Sequence, residues 1–175
     1  KALLVSDYLK GTITRPVVES MLAVRGSDGA PPLVVDPKVP HLACYRGATL
    51  VTPNHYEAET ATHRRIRTDD DAKDAAHDFR ERAQCEAVLI TRGDQGMWLS
   101  DSRVDARVPA VAREVSDVTG AGDTVVATLA LALAAGATFA EAAVLANHAA
   151  GIVVGKFGPA TLTRDELLST FPAAS

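Results

Sequence analysis

Four short apolar runs, each closed by a polar residue and two of them followed by helix-forming stretches, limit this chain to a small set of folds. Ala2 to Ser6 stops at Asp7, Leu33-Val34-Val35 at Asp36-Pro37, Ala48 to Val51 at Thr52-Pro53-Asn54, and Ala87 to Thr91 runs into Arg92-Gly93-Asp94-Gln95-Gly96. Runs this short and continuously apolar suit strands covered on both faces. Between them, Thr14-Arg15-Pro16 opens a helix to about Val24, with Pro in its first turn. A short helix is expected from Asn54, and a longer one from about Asp69 to Ala83, where Asp69, Asp70 and Asp71 favour the N-terminal dipole. Gly26 to Pro32 reads as a turn-rich connection, and Met97 to Ser100 with Val104 to Val108 as a hairpin. Two Ala-rich helices follow, Gly122 to Ala135 and Phe139 to Val154, divided by Gly136. Thr163 opens a last helix, with Glu166 completing a capping box. Strands alternating with helices imply a parallel α/β sheet with helices on both faces. No repeat and no low-complexity linker interrupts residues 1–175, which read as one domain.

Composition narrows the function. With 47% hydrophobic and 23% charged residues among 175, the chain has the make-up of an ordinary globular protein. Its net charge is −4 and its cations are scattered, the densest cluster being Arg64, Arg65 and Arg67, read here as a solvated turn. A nucleic-acid binder would concentrate Lys and Arg on one face, so that class is set aside; small anions are not, because amide groups hold them on acidic proteins. Cys44 and Cys85 have neither metal nor disulfide spacing and read as small buried hydrophobes in a reduced, cytoplasmic compartment. His41, His55, His63 and His77 show no metal spacing, and His148 reads as a helix packing residue. Lys1 is followed by Ala2-Leu3-Leu4-Val5 and at once by Asp7 and Lys10, which is no signal peptide. Val125 to Ala135 is about half the length of a membrane span and reads as a buried helix. Because the chain opens without Met inside an apolar strand, a fragment is expected, with an edge beside Ala2 to Val5 that a homodimer would cover.

Chemistry concentrates in Ser116-Asp117-Val118-Thr119-Gly120-Ala121-Gly122-Asp123-Thr124, directly before a long apolar helix. Gly120 and Gly122 permit a sharp turn and a close ligand approach. The amides of Gly120, Ala121 and Gly122 fall at a helix N-terminus, where free N–H groups and the dipole favour an anion. A phosphoryl group in transfer accumulates such charge. Asp123 would compete with that anion, which makes sense for a base aimed at a hydroxyl beside the phosphate. The plainer alternative, an acid placed to stabilise a helix start, remains for any lone Gly-x-Gly. Asp7, Asp36, Asn54 and Thr91 add polar groups at the carboxyl ends of consecutive strands, where ligands gather in such sheets, although each alone is also an ordinary strand terminator.

Asp117-Val118-Thr119-Gly120-Ala121-Gly122-Asp123-Thr124 closely resembles the C-terminal signature of the ribokinase-like (PfkB) carbohydrate kinases. Ser6-Asp7-Tyr8-Leu9-Lys10-Gly11, Asp36-Pro37-Lys38, Thr52-Pro53-Asn54-His55-Tyr56-Glu57, Thr91-Arg92-Gly93-Asp94-Gln95-Gly96 and Asn147-His148-Ala149-Ala150-Gly151 fall in that family's order. Asp-Tyr-x-Lys-Gly, Asp-Pro-Lys, Tyr-Arg-Gly-Ala-Thr-Leu (45 to 50) and Val-Val-Gly-Lys-Phe-Gly (153 to 158) look most like the heptose 7-phosphate kinase domain of the bifunctional heptose kinase/ADP-heptose synthase.

The resemblance implies a ribokinase-like three-layer parallel sheet and an ATP- and magnesium-dependent kinase. Its acceptor would be the anomeric hydroxyl of D-glycero-D-manno-heptose 7-phosphate, in ADP-heptose and lipopolysaccharide core biosynthesis. It implies Asp123 as base and the Gly120, Ala121 and Gly122 amides as anion hole. Asn54 and Glu57 would place magnesium and the phosphates indirectly. Thr91, Gly93 and Gly96 would form the nucleotide turn, with Asn147 near the adenine or ribose. Asp117, Thr119, Gly158 and Thr161 match positions that hold a monovalent cation, potassium among them. Lys10 and Lys38, after strand-end Asp residues, become candidates for the acceptor's phosphate.

Plainer readings stand beside these: Asn54 and Glu57 as a helix cap and first-turn acid, Asn147 as a packing residue, Lys10 and Lys38 as solvated cations. Family members carry an N-terminal half, with much of the sugar pocket and a β-sheet lid, that nothing here matches, so the fragment is expected to bind nucleotide weakly and turn over poorly. No His-x-Gly-His motif of a nucleotidyltransferase is present. The alternatives are a ribokinase or fructokinase type, a non-catalytic nucleotide-binding fragment, and a dinucleotide-binding protein. Against the last, no Gly-x-Gly-x-x-Gly opens the first strand-helix unit.

Overall fold

Parity along the strands builds the architecture. In β1 (Leu3–Ser6), β2 (Leu33–Asp36) and β4 (Ala87–Thr91), Leu3, Val5, Leu33, Val35, Val88 and Ile90 face one layer of helices. Val34, Ala87 and Leu89 face the other. Because successive side chains point to opposite faces, a strand apolar at every position needs cover on both. One cover is α1 (Arg15–Arg25), α2 (His55–Thr62) and α3 (Asp69–Ala83), through Val18, Ala58, Ala75, Ala76 and Phe79. The other is α4 (Ala121–Ala134) and α5 (Phe139–Val154), through Val125, Val126, Leu129, Ala142 and Ala146. The computed structural model describes residues 1–25, 30–111 and 115–172, so most of the expected Gly26 to Pro32 connection lies outside the described residues.

The six strands lie in chain order, β1 to β4 parallel. β5 (Met97–Ser100) and β6 (Asp105–Val108) add antiparallel partners, so the sheet is mixed at one edge, as the hairpin reading required. β3 is regular only over Leu50–Val51, but the Thr49 amide donates to the Leu33 carbonyl at 2.9 Å and the Glu86 amide to the Ala48 carbonyl at 3.1 Å, so bonding extends over the expected run.

Four helices begin in reciprocal capping boxes: Asn54 with Glu57, Thr68 with Asp71, Thr138 with Glu141, and Thr163 with Glu166, which opens α6 (Arg164–Ser169). Each box satisfies amides that the helix itself cannot. α4 starts differently, on Gly120 at φ 79° with no side-chain cap. Nor is α4 wholly buried as its composition suggested. It packs on α5, β1 and β2 through one side, while Leu131 is 74% exposed. Cys44 and Cys85 are half-buried against the first core layer, and burial pushes the Cys85 thiol up to about 12. Among the described residues no helix is long and apolar enough to cross a membrane.

Phe79 is fully buried on α3 among the strands of the first layer. Phe79→Ala should lower the unfolding free energy by about 3–5 kcal/mol, from lost apolar burial plus the cavity left behind. Chemical denaturation of the two proteins checks this.

Candidate functional site

The carboxyl ends of β1 to β4 and the start of α4 enclose a polar cleft of about 200 Å³, lined by Tyr8, Asp36, Lys38, Asn54, Glu57 and Asp123, with Thr91 and Gly122 at its edge. Thr91, Gly122 and Val125 also belong to an adjoining hollow of about 400 Å³. That second space is largely apolar, walled by Met97, Val118, Ala150 and Val154, with Gly93 and Gly96 on one side and Asn147 on the other. The first turn of α4 therefore stands between a small polar cleft and a larger apolar hollow. A roomier depression of about 650 Å³ near Pro32, Arg103 and Phe139 opens at the other end of the strands, away from all of these residues.

Asp123 is the third residue of α4, exposed to the cleft, and its Oδ1 accepts from the Tyr8 hydroxyl at 3.0 Å. Of the three amides expected to form an anion hole, that of Ala121 donates to the Val118 carbonyl at 3.2 Å. Gly122 lies on the wall shared by both spaces. The left-handed turn at Gly120 is one that a side chain would strain.

Asn54 and Glu57 reach the cleft and also form the cap of α2. The Asn54 Oδ1 accepts from the Glu57 amide at 2.9 Å, and the Glu57 Oε2 from the Asn54 amide at 3.0 Å. The other Glu57 oxygen pairs with the Lys38 ammonium. Burial alone would lower that ammonium, but the hydrogen bond and charge of Glu57, with Asp36 and Asp7 behind it, hold it above its ordinary value. Lys10 is exposed on the loop after β1 and is not part of the cleft wall.

Asp36, half-buried at the end of β2, is pushed up to about 6. Burial is the main cause; Lys38 works against it, while the carboxylates of Glu57 and Asp123 reinforce it. Three carboxylates thus face one small space that a single lysine lines. This donor set fits a hard divalent cation held largely through waters and phosphate oxygens. It does not form a cage, since among the described residues no group of three His, Cys, Asp or Glu side chains is disposed to ligate a metal.

Around the hollow, Thr91 pairs with Asn54 in a parallel bridge and donates its amide to the Pro53 carbonyl at 3.0 Å. Gly96 has φ 84°, and a Cβ there would come within 2.2 Å of the Val108 carbonyl oxygen, so only glycine lets this turn lie on β6. Asn147 both lines the hollow and packs, its Nδ2 donating to the Pro109 carbonyl at 2.6 Å. Asp117 accepts from the Thr119 amide at 2.8 Å and the Gly158 amide at 3.2 Å. The Thr119 hydroxyl and these amides hold its carboxyl below the ordinary range. The carbonyl of Thr161 accepts from the Lys156 ammonium at 2.8 Å.

Sequence reasoning gave Tyr8 and Arg92 no role of their own, and placed Asp36 among the polar strand ends where ligands gather without assigning it one. Tyr8 had one signal, its place between Asp7 and Lys10 at a strand end. Arg92 entered only as one position of the Thr91 to Gly96 turn, yet its guanidinium is buried, donating to Asp69 at 2.7 Å and to the Thr68 carbonyl at 3.2 Å, which ties the Gly93–Gln95 turn to α3.

Residues 1–166 match the pfkB family carbohydrate kinase. The chain is 48% identical over 169 residues to the bifunctional protein HldE of Geotalea uraniireducens, covering 95% of this chain and 34% of that one. It is likewise 48% identical over 168 residues to the bifunctional protein HldE of Paramagnetospirillum magneticum, with the same shares covered. The chain therefore spans about a third of the length of the curated relatives it matches. Among solved structures it superposes on phosphofructokinase-2 from Escherichia coli, in complex with potassium, with a TM-score of 0.81 at 22% identity, covering 96% of this chain and 55% of that one. On ribokinase from Arabidopsis thaliana, complexed with ribose and ATP, the TM-score is 0.77 at 22% identity, covering 95% and 54%. These likenesses establish the ribokinase-like fold.

The raised carboxyl of Asp36 has a consequence for stability. Its folded value near 6 lies above the ordinary 3.8, so the folded state binds the proton more tightly than the unfolded one. Stability is therefore lost as pH rises from about 4 through 6, and the cost is full above that. Asp36→Asn should add about 1–3 kcal/mol at about pH 8 and almost nothing near pH 4, as read from denaturation curves at both.

Proposed function

The chain belongs to the pfkB family of carbohydrate kinases, and from that premise we propose that it is the nucleotide-binding and catalytic part of an ATP-dependent heptose 7-phosphate kinase. The observation that carries the reading is the start of α4. It opens without a side-chain cap where four other helices have capping boxes, and it turns Asp123 into the polar cleft while Gly122 lies on the wall shared with an apolar hollow.

In this reading the adenosine lies in the hollow between Gly93, Gly96 and Asn147, and the phosphates extend toward the Gly122 amide at the positive end of α4. The acceptor occupies the polar cleft. Asp123 takes the proton of its anomeric hydroxyl as that oxygen forms a bond to the γ-phosphorus. The bond from that phosphorus to the bridging oxygen breaks, and its electron pair leaves with ADP. The amides at the helix start hold the charge on the transferring group, in the manner of preorganised donors elsewhere. Asp36 and Glu57 would hold magnesium through water and phosphate oxygens; the metal, when bound, neutralises phosphate charge. Asp117, Thr119 and Gly158 would serve a monovalent cation, with the Thr161 carbonyl turned to Lys156.

Identification of the acceptor draws on the motifs around Tyr8, Lys38, Tyr45 and Lys156, and on the 48% likeness to HldE proteins. Lys38 lines the cleft beyond the end of β2 and would meet a phosphate already on the sugar, whereas Lys10 lies on the exposed loop after β1, outside the cleft wall. Lys38 would exchange or share its Glu57 partner when such a phosphate enters. The product would then serve ADP-heptose formation for the lipopolysaccharide core.

In the complete kinase, Asp123→Asn should lower transfer by roughly a hundredfold or more while nucleotide binding persists. A coupled ADP-release assay with heptose 7-phosphate, ribose and fructose measures both the base and the acceptor. Turnover confined to the phosphorylated heptose is the expected result. Equal turnover on a plain sugar would remove the heptose assignment, and an undiminished Asp123→Asn rate would remove the base.

A further inference from the structure

The loop that follows β1 delivers a side chain to the base itself. The Tyr8 hydroxyl donates to Asp123 Oδ1 at 3.0 Å, joining two residues 115 positions apart, and both line the polar cleft. We propose that Tyr8 is a positioning residue for the proton-accepting carboxylate, a role that rests on the reading of Asp123 as the base. With Oδ1 held by the phenol, Oδ2 is the oxygen that meets the acceptor hydroxyl.

An aspartate at an exposed helix start can turn about both side-chain torsions, and its two oxygens are otherwise equivalent. A charge-assisted hydrogen bond from a ring with few rotatable bonds selects one orientation and separates the roles of the two oxygens. The donor is itself anchored. Asp7, just before it, is 1% exposed, and Oδ1 of Asp7 accepts from the Leu9 amide, just after it, at 2.8 Å. Leu9 is held at φ 54°, a left-handed conformation that a leucine adopts only when its surroundings impose it. Oδ2 of Asp7 accepts from the Tyr45 hydroxyl at 2.6 Å, which fixes the carboxylate from a second segment. Tyr8 thus sits between that buried carboxylate's own residue and Leu9, which is bonded to it, so the backbone that presents the phenol to Asp123 is fixed.

Tyr8 is 59% exposed, so its side chain adds little to the core, and removing its hydroxyl is expected to cost the fold little. A competing picture makes the phenol a plug that occupies the acceptor's place and must be displaced. The two differ in sign. A positioning hydroxyl raises the rate of transfer, whereas a plug weakens acceptor binding.

The test compares Tyr8→Phe and Asp123→Asn in the complete kinase, reading kcat, both KM values, nucleotide affinity and melting temperature. The expected result for Tyr8→Phe is a kcat reduced roughly ten- to a hundredfold, with both KM values, nucleotide affinity and melting temperature unchanged. An unchanged or raised kcat overturns the proposal, as does an effect confined to the acceptor KM, which would make Tyr8 a binding or plugging group. If Asp123→Asn abolishes transfer while Tyr8→Phe is silent, only the positioning role falls. If Asp123→Asn is itself silent, the base assignment falls and takes this role with it.

Discussion

A carboxylate that is almost wholly buried must be met by donors on every side, and Asp7 imposes that demand at the mouth of the cleft. Burial by itself would push its carboxyl up, yet the Tyr45 hydroxyl, the Leu9 amide and His41 hold it below the ordinary range. His41 Nδ1 lies 2.7 Å from the same oxygen that accepts from Tyr45. Those donors come from two separate segments, the loop after β1 and the 3₁₀ run Val39–Tyr45. The Tyr45 hydroxyl also accepts from the Lys38 amide at 3.1 Å, so the residue that satisfies Asp7 also places the backbone of Lys38. One buried charge thereby sets two walls of the cleft, Tyr8 on one side and Lys38 on the other. Neither wall could shift alone without leaving Asp7 short of a donor.

The opposite wall obeys a different economy of hydrogen bonds. Capping boxes on α2, α3, α5 and α6 consume amides that would otherwise face solvent, and they stabilise those helices locally. Dispensing with such a cap on α4 gives up part of that stabilisation and leaves the positive end of the helix available to an anion. Asp36 shows the same balance in charge: its carboxyl is raised by burial and by two neighbouring carboxylates, at a standing cost to the folded state above about pH 6. Both departures from local stability fall at the same cleft. Strain of this kind gathers where function needs preorganised groups, and α4 and β2 meet there at the carboxyl edge of the sheet.

Much of this was legible beforehand because the signals were local. β4, α3 and α5 begin and end where the apolar runs and acids put them, and Thr163 with Glu166 forms the box that their spacing announces. The glycine run before α4 likewise marks its own turn. What escaped notice depends on contacts between distant residues. Val39 to Tyr45 has no helical period and contains Pro40, and its 3₁₀ course makes sense only once Asp7, more than thirty residues earlier, is seen to need His41 and Tyr45. Arg92 could not be told from a surface arginine until Asp69 and Thr68 closed around it. The continuous apolar run of α4 suggested burial all round, yet Leu131 stands in the open, because the sheet and α5 cover only part of its circumference.

The placement of Asp123 resolves what looked like a conflict in the sequence, an anion at the helix terminus best suited to hold another anion. The third position of a helix points its side chain away from the axis, while the amides of the first turn point along it. In α4 that separation sends the carboxylate into the polar cleft, beside Tyr8 and Asp36, and leaves Gly122 on the wall that cleft and hollow share. Asp123 and Gly122 are therefore neighbours in sequence, the carboxylate lining the cleft and Gly122 the wall that cleft and hollow share, and under the proposed reading that shared wall is where a hydroxyl oxygen and a phosphorus would meet. The turn itself restricts only one of the two glycines: a side chain at position 120 would oppose the left-handed conformation that starts the helix there, whereas a Cβ at position 122 would meet open space.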